Sequence, residues 1–355
     1  MSRSISVGTY KVHISNHLKE LTKVINKNDF SEVFILVDEN SRTHCLPQLL
    51  KAVSALKDSH VLEISSGESF KTIDTCKYLW SELLKKSADR HSLFINLGGG
   101  VIGDLGGFVA STYMRGIPFI NIPTTLLSQV DATLGGKLGI DFNGVKNAVG
   151  IFTNPEAVFI HPGFLKTLPD DELLSGFAEM IKHGLISSPV IWNEIKKVNP
   201  CRVKNWEPLI CKSLLVKKKI VEQDPREKNI RKALNFGHTF GHAFESAALH
   251  EGKKLLHGHA VALGIIAESY LSFRLTGLPE KNLNEITHYI SFHYRSHIHS
   301  DISEINWQRW ITHDKKSAGG RFNFTLLKST GKPVINIDCH RQLMEEAVQF
   351  LKSQL

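Results

Sequence analysis

Leu93-Phe94-Ile95-Asn96-Leu97-Gly98-Gly99-Gly100-Val101-Ile102-Gly103-Asp104 joins a short apolar run to three consecutive glycines and then to a segment compatible with a helix. Such a run is what a buried parallel strand requires, because both of its faces are covered. Glycines at the strand end let backbone N–H groups approach a pyrophosphate, and a helix N-terminus beyond them adds favourable partial charge. The spacing is not the usual G-x-G-x-x-G, and glycine-rich loops also occur without a ligand, so the segment by itself marks a dinucleotide or phosphate site or a plain turn.

The same alternation extends on both sides. Upstream, Val33 to Val37 reads as a second buried strand ending at Asp38-Glu39-Asn40, where Asp38 is placed either to accept from ribose hydroxyls or to cap the next turn. Val61 to Ile64 leads through Gly67-Glu68-Ser69-Phe70-Lys71-Thr72 into an amphipathic helix with Ile73, Cys76, Leu79, Trp80, Leu83 and Leu84 at helical spacing. Downstream, Phe119 to Ile122 is closed by Pro123-Thr124-Thr125, whose hydroxyls sit at a strand end. The tract holding Asp131, Gly135-Gly136-Lys137 and Lys146-Asn147 has no apolar periodicity and reads as a site or a loop. The first fifteen residues alternate like a strand pair around Gly8 and Thr9. The fold expected is a Rossmann-like α/β domain over residues 1–162, followed by an all-helical domain over 163–355.

Helix-start chemistry recurs from Thr167-Leu168-Pro169-Asp170 onward. Glu179 and Lys182, three apart, share a helical face; they form either a surface ion pair or, among Phe177, Ala178, Met180 and Ile181, a buried carboxylate that needs a cation. Five histidines fall between Leu234 and His259. His238 and His242 stand one helical turn apart, with Arg231 and Asn235 expected on the same helical face as His238, and His257 follows a glycine-containing loop. Two or three imidazoles with one carboxylate from elsewhere would hold a zinc-like ion and leave a position open for substrate. A chain with 18 histidines also places some together by chance. Lys217 lies in a lysine run, where a solvated face competes with a ligand role.

Composition narrows the classes. With 42% hydrophobic and 22% charged residues the 355-residue chain is an ordinary globular protein, long enough for two domains. The net charge of +8 is spread in short runs, which suits acidic small molecules better than nucleic acid. Five scattered cysteines without a C-x-x-C pair indicate neither a disulfide framework nor a thiolate metal site, and favour a reducing, cytoplasmic setting. The opening has no signal-peptide pattern, and no run is long and apolar enough to cross a bilayer.

Taken together and in order, G-E-S-F-K-T (67–72), G-G-G-V-I-G-D-L-G-G-F (98–108), Y-M-R-G (113–116), P-T-T-L-L (123–127), V-D-A-T-L-G-G-K (130–137), K-N (146–147), G-F-A-E-M-I-K-H-G (176–184), R-K-A-L-N-F-G-H-T-F-G-H-A (231–243) and L-H-G (256–258) resemble the 3-dehydroquinate synthases of the sugar phosphate cyclase superfamily. The resemblance implies a homodimer with catalytic NAD and a divalent metal, zinc or else cobalt, acting on the phosphorylated sugar acid 3-deoxy-D-arabino-heptulosonate 7-phosphate. It also implies a role for each matching residue. Glu179, His238 and His257 would hold the metal. Asp38, Asn40, Glu68, Lys71, Gly99, Gly100, Asp104, Thr124, Thr125, Lys137 and Lys146 would line the NAD site. Arg115, Asp131, Lys146, Asn147, Lys182, Lys217, Arg231, Asn235 and Lys315 (or Lys316) would bind substrate, with His242, Lys182, Asn235, Arg231, Asp131 and Lys137 taking part in catalysis.

Two positions depart from the family pattern. His259 stands where most relatives carry Glu, and Leu138 where a Thr usually follows G-G-K. His259 is therefore a candidate competing ligand or partner of the ligands. The rival functions are another sugar phosphate cyclase and, further off, a metal-dependent NAD alcohol or glycerol dehydrogenase.

Overall fold

The structure, a computed structural model, describes residues 3–132, 134–143, 145–298, 306–314 and 322–355. It divides into two units, Met1–Leu168 with Asn205–Lys218, and Pro169–Lys204 with Lys219–Leu355. The expected single break after residue 162 differs from this in two respects: the first unit runs on to Leu168, and Asn205–Lys218 packs with it.

The strands of the first unit are β1 (Arg3–Val7), β2 (Tyr10–Ile14), β3 (Val33–Asp38), β4 (His60–Ile64), β5 (Leu93–Gly98), β6 (Phe119–Pro123), β7 (Lys137–Phe142), β8 (Val145–Phe152) and β9 (Ala157–Ile160). Its helices are α1 (Lys19–Lys27), α2 (Glu39–His44), α3 (Leu46–Ala52), α4 (Ile73–Lys85) and α5 (Gly100–Thr112). Seven strands form one sheet in the order β1-β2-β9-β6-β5-β3-β4; β1 is antiparallel to β2 and the remaining pairs are parallel. Along β3 and β5 alternate residues serve opposite layers. Phe34, Leu36 and Phe94 pack with Leu79, Leu83 and Leu105 of α4 and α5. Ile35, Val37, Ile95 and Leu97 pack with Leu21, Leu46 and Leu49 of α1 and α3. Two-sided burial is why these strands are almost wholly apolar, each large side chain contributing about 1.5–3 kcal/mol.

One polar pair interrupts that core. Asn96 Nδ2 donates to Asn121 Oδ1 at 2.8 Å between β5 and β6. Gly106 of α5 lies directly over it, where an added Cβ would fall 1.9 Å from Asn96 Oδ1.

The tract expected to be a site or a loop contains an antiparallel hairpin, β7 with β8. Gly139 and Gly150 face each other across its ladder, and a Cβ on Gly150 would lie 2.4 Å from the Leu138 carbonyl oxygen. Leu138, at the position where the family pattern has Thr, is buried in the α4/α5 layer and packs under Gly107. Its apolar side chain is thus a core contact. Phe142, Val145, Val149, Ile151 and Phe152 of the hairpin are exposed.

The further helices are α6 (Asp170–Ser187), α7 (Pro189–Ile195), α8 (Glu207–Gln223), α9 (His238–His250), α10 (His257–Leu275), α11 (Glu280–Tyr294), α12 (Trp307–Asp314) and α13 (Arg341–Gln354), all of the second unit except α8, which lies in the first as far as Lys218. They are accompanied by an antiparallel hairpin, β10 (Phe322–Ser329) with β11 (Lys332–Cys339). α6 starts with Asp170, Asp171 and Glu172, whose charges suit the positive end of the helix. Residues Leu173 to Ile186 of α6 and Gly258 to Ser269 of α10 are buried on all sides, as central helices are. No described helix is long and apolar enough to cross a membrane.

Candidate active site and metal centre

Glu179 is wholly buried on α6. Its Oε2 meets the ammonium of Lys182, itself 1% exposed, while Oε1 lies 3.5 Å from His238 Nε2 and 3.7 Å from His257 Nε2. Those two distances exceed the 2.7–3.2 Å of an N–H···O bond. They lie at (3.5 Å) or just beyond (3.7 Å) the edge of a tetrahedron with ligand bonds of about 2.0–2.2 Å, for which donor atoms stand about 3.3–3.6 Å apart. The arrangement therefore fits an ion better than it fits direct pairing.

The backs of both imidazoles are fixed. His257 Nδ1 is 3.1 Å from Glu245 Oε2, and His238 Nδ1 is 3.3 Å from the Phe236 carbonyl oxygen. A carboxylate and a carbonyl only accept, so each Nδ1 carries a proton and each Nε2 faces Glu179; the neutral His238 turns a lone pair there, and His257 does so once a metal replaces its second proton. Burial, and then the neighbouring Lys182, hold His238 well below the ordinary histidine pKa, which keeps it the neutral ring a metal needs. At His257 burial opposes the charge, but Glu245 and Glu179 outweigh it and push the pKa up to about 10.

The pH consequence has a definite sign. A pKa raised above the unfolded value of 6.5 stabilises the ion-free protein fully below that pH, and the contribution is lost as pH rises through about 10. A metal taking Nε2 must displace that proton, so zinc affinity should rise by about tenfold per pH unit between pH 7 and 9 from this group alone. Chelator competition at several pH values reads this out, and a flat profile would contradict it.

His242 joins the cluster. Its ring nitrogen lies with those of His238 and His257 inside 4.8 Å, with ring centroids 5.2 and 5.8 Å away. Position alone makes it a third imidazole donor; the resemblance assigns it to substrate instead. His259 is not in this group: it is buried, edge-on to Tyr294 with centroids 5.7 Å apart.

Arg231 and Asn235 do not share a helical face with His238. They occupy a separate 3₁₀ segment, Ile230–Asn235, and Gly237 at φ 82° breaks the chain before α9. Asp224 organises this approach, its carboxylate accepting from the backbone N–H of Lys228, Asn229 and Arg231 at 3.0, 2.6 and 3.1 Å. Burial opposes the charge of Asp224, but these N–H groups outweigh it and hold its pKa below the usual carboxylate range. Arg231 is 2% exposed and anchors Nη1 on the Pro225 carbonyl at 2.6 Å. Asn235 Nδ2 donates to Glu227 Oε1 at 2.8 Å, which adds Glu227, held at φ 56°, to the polar set. Sequence reasoning misses both Glu227 and Glu245. Glu245 leaves a trace, since His238, His242 and Glu245 follow the i, i+4, i+7 pattern of one helical face.

In the first unit the ends of β3 and β5 flank the point where successive connections leave in opposite directions, which is where open α/β sheets bind ligands. Gly99 is the N-cap of α5, and a Cβ there would come within 3.3 Å of Thr125 Cγ2. Thr125 Oγ1 is 2.9 Å from Ser128 Oγ, and Thr124 N–H donates to the Gly98 carbonyl at 2.9 Å. Lys71, buried, donates to Asp104 Oδ2 at 2.7 Å and Asn147 Oδ1 at 2.6 Å, with Glu68 3.8 Å away. Burial opposes its charge, but Asp104 and Glu68 outweigh that and raise its pKa.

Asp38 caps α2 through Oδ1, which accepts from Ser41 N–H at 2.7 Å, so the turn-capping alternative for this residue is realised. Asn40 is exposed beside it. Asp131 sits in a π-helical turn, Ser128–Ala132, and receives Lys217 Nζ on Oδ1 at 2.7 Å and on its carbonyl at 2.6 Å. Lys137 and Lys146 lie on β7 and β8. Arg115 stands exposed in a turn where Met114, Arg115 and Gly116 have φ of 48°, 71° and 113°. Lys315 and Lys316 fall outside the described residues.

The chain is similar to the 2-epi-5-epi-valiolone synthase of Streptomyces hygroscopicus, solved with NAD+ and Zn2+ bound, at a TM-score of 0.86 and 24% identity over 99% of this chain and 98% of that one. It is also similar to a 2-deoxy-scyllo-inosose synthase complexed with carbaglucose-6-phosphate, NAD+ and Co2+, at a TM-score of 0.83 and 22% identity over 98% and 99% of the two chains. The fold is that of the sugar phosphate cyclases. Residues 61–175 match the 3-dehydroquinate synthase N-terminal family and residues 176–317 the 3-dehydroquinate synthase C-terminal family. The 3-dehydroquinate synthase of Parabacteroides distasonis is 43% identical over 345 residues, 96% of this chain and 98% of the relative. The chain belongs to the 3-dehydroquinate synthase family.

Proposed function

We propose that this chain converts 3-deoxy-D-arabino-heptulosonate 7-phosphate to 3-dehydroquinate and phosphate, a carbon–oxygen lyase reaction of the shikimate pathway that uses NAD catalytically and one divalent metal, zinc or cobalt. Beside family membership, the observation that carries this reading is the convergence of His238 Nε2 and His257 Nε2 on one oxygen of the buried Glu179. These three residues would hold the metal. Gly99, Gly100, Glu68, Lys71, Asp104, Thr124, Thr125, Asp38 and Asn40, with Lys137 and Lys146, would hold NAD.

When bound, NAD reversibly accepts a hydride and the metal acidifies the substrate hydroxyl on the carbon that gives it up. The chain's own residues bind, orient and move protons. Lys182, Lys217, Arg115, Lys146 and Arg231 offset the carboxylate and phosphate charges of the substrate, Arg231 from a guanidinium already anchored at one nitrogen. Asp131 orients Lys217, and Glu227 orients Asn235, so the donors are aimed before substrate arrives. His242 holds the proton that passes to and from the reacting hydroxyl.

The homodimer implied by the resemblance finds support in the exposed Val149, Ile151 and Phe152 of β8, an edge strand whose apolar side chains suit a second copy. Phe152→Asp is expected to shift sedimentation toward monomer, and an unchanged dimer would remove that surface from the interface. A cytoplasmic setting agrees with five cysteines all left as thiols.

The reaction itself is tested by incubating zinc-loaded protein with the heptulosonate phosphate and catalytic NAD. Phosphate release without accumulating NADH is expected. Net NADH with a simple alcohol would support a dehydrogenase instead, and turnover only of a different sugar phosphate would support another cyclase.

A further inference from the structure

Glu268 lies in the middle of α10, wholly buried among Ile265, Ile266 and Ala267. Its carboxylate is committed to backbone. Oε2 accepts from Gly237 N–H at 2.6 Å, and Oε1 accepts from Thr239 N–H at 2.9 Å and Phe240 N–H at 3.2 Å. These donors open α9, whose N-cap residue, Gly237, has no side chain to satisfy them. The cost of burying the charge is offset by three N–H groups at the positive end of a helix. α10 approaches closely enough to deliver the carboxylate because Gly264, one turn earlier, lies against the same bend; a Cβ there would fall 1.9 Å from the Gly237 carbonyl oxygen.

One of the three contacts reaches further than capping. Gly237 N–H and the Phe236 carbonyl belong to a single planar trans peptide and point in opposite directions. Glu268 holds the N–H, while the carbonyl faces His238 Nδ1 at 3.3 Å. Fixing that plane fixes the acceptor behind His238, and a negative charge on the N–H side polarises the carbonyl into a stronger one. His257 has Glu245 directly on Nδ1, whereas His238 has a carboxylate one peptide removed.

We propose that Glu268 is a positioning residue for the metal centre, acting through the Phe236–Gly237 peptide to set the tautomer, orientation and donor strength of His238. This rests on the reading of Glu179, His238 and His257 as metal ligands. Both imidazole ligands are then backed by carboxylates, one in contact and one through a peptide.

Glu268→Gln keeps the side-chain length but turns an NH₂ group toward backbone donors. Its zinc affinity, from chelator competition, is expected to fall about 10- to 100-fold, and the visible absorption of its Co²⁺ form to shift, with NAD affinity unchanged. Phe244→Leu, which loosens the α9 core where Phe244 stacks on Phe240 and leaves Glu268 in place, should lose thermal stability and keep the parental zinc affinity. Zinc affinity within twofold of the parent and an unchanged Co²⁺ spectrum in folded Glu268→Gln would overturn the proposal, as would an equal affinity loss in Phe244→Leu. If Glu268→Gln does not fold, the parent protein decides. Its zinc form must show an imidazole Nδ1–H resonance that disappears in His238→Ala, and absence of that resonance rejects the relay. Equal zinc binding by the parent and His238→Ala is a different failure, because it removes the ligand set itself.

Discussion

His238→Ala is expected to yield a folded protein that loses its zinc on gel filtration, whereas His242→Ala keeps zinc and loses rate. Zinc binding worth about 10–16 kcal/mol, shared among three or four ligands, implies an affinity loss of about 10²–10⁴ for one imidazole. Folding should survive, because the Glu179 carboxylate retains Lys182 beside it and is not left as an uncompensated buried charge. Removing His242 takes away a proton carrier, for which a fall in kcat of about 10²–10⁴ is typical. Zinc content by elemental analysis, set beside steady-state rates, separates the two variants. Equal zinc in His238→Ala and the parent would refute the ligand assignment, and loss of zinc in His242→Ala would make His242 a ligand.

The second large effect is expected from Gly258→Ala. A Cβ there would lie 1.8 Å from the Ser175 carbonyl oxygen, 2.4 Å from its carbon and 2.5 Å from its Cα, all backbone atoms with no rotamer to yield. The two helices must separate, and they are α10, which begins at His257, and α6, where Glu179 follows Ser175 by one turn. Overpacking of this kind costs roughly 3 kcal/mol or more. At about 2–4 °C per kcal/mol for a unit of this size, the melting temperature should fall by about 6–12 °C. Zinc affinity should drop with it, since His257 moves relative to Glu179. A melting temperature within 2 °C of the parent, on the order of the smallest shift expected per kcal/mol, would show that the contact relaxes more easily than its geometry implies.

The parts of this molecule legible in the sequence are those written in local pattern. Val33 to Val37 announces two-sided burial because neither face offers water a polar residue, and Leu93 to Leu97 does so with Asn96 as its one polar side chain. The β7–β8 hairpin is hidden by its own packing, since the closeness of Gly139 and Gly150 excludes side chains and makes a strand read as a loop. At the site, Glu179 is visible as a lone acid among apolar neighbours, and the histidine spacing is visible as helical period. Glu268, a single acid within A-V-A-L-G-I-I-A-E-S, carries the same signal as Glu179. Its partners, however, are backbone groups about thirty residues earlier, and no local pattern names them. Arg231 and Asn235 fail for the opposite reason: helical counting carries through Phe236-Gly237, where the backbone turns left-handed.

The Asn96–Asn121 pair has a consequence for how the sheet assembles. Strands apolar on both faces can slide past each other with little penalty from solvent, since no outward polar row marks the correct alignment. In β5 and β6 the two amides meet only when Asn96 is opposite Asn121, the pairing that also sets Gly98 opposite Pro123. A slip of one residue would turn one amide to the other layer and leave both buried without each other, a cost of about 1–3 kcal/mol for each orphaned group. The pair therefore acts as an alignment key during folding. What it aligns is the glycine turn on one strand with the threonines that follow the other, so the strand ends proposed to hold NAD are proofread by two side chains outside the proposed site.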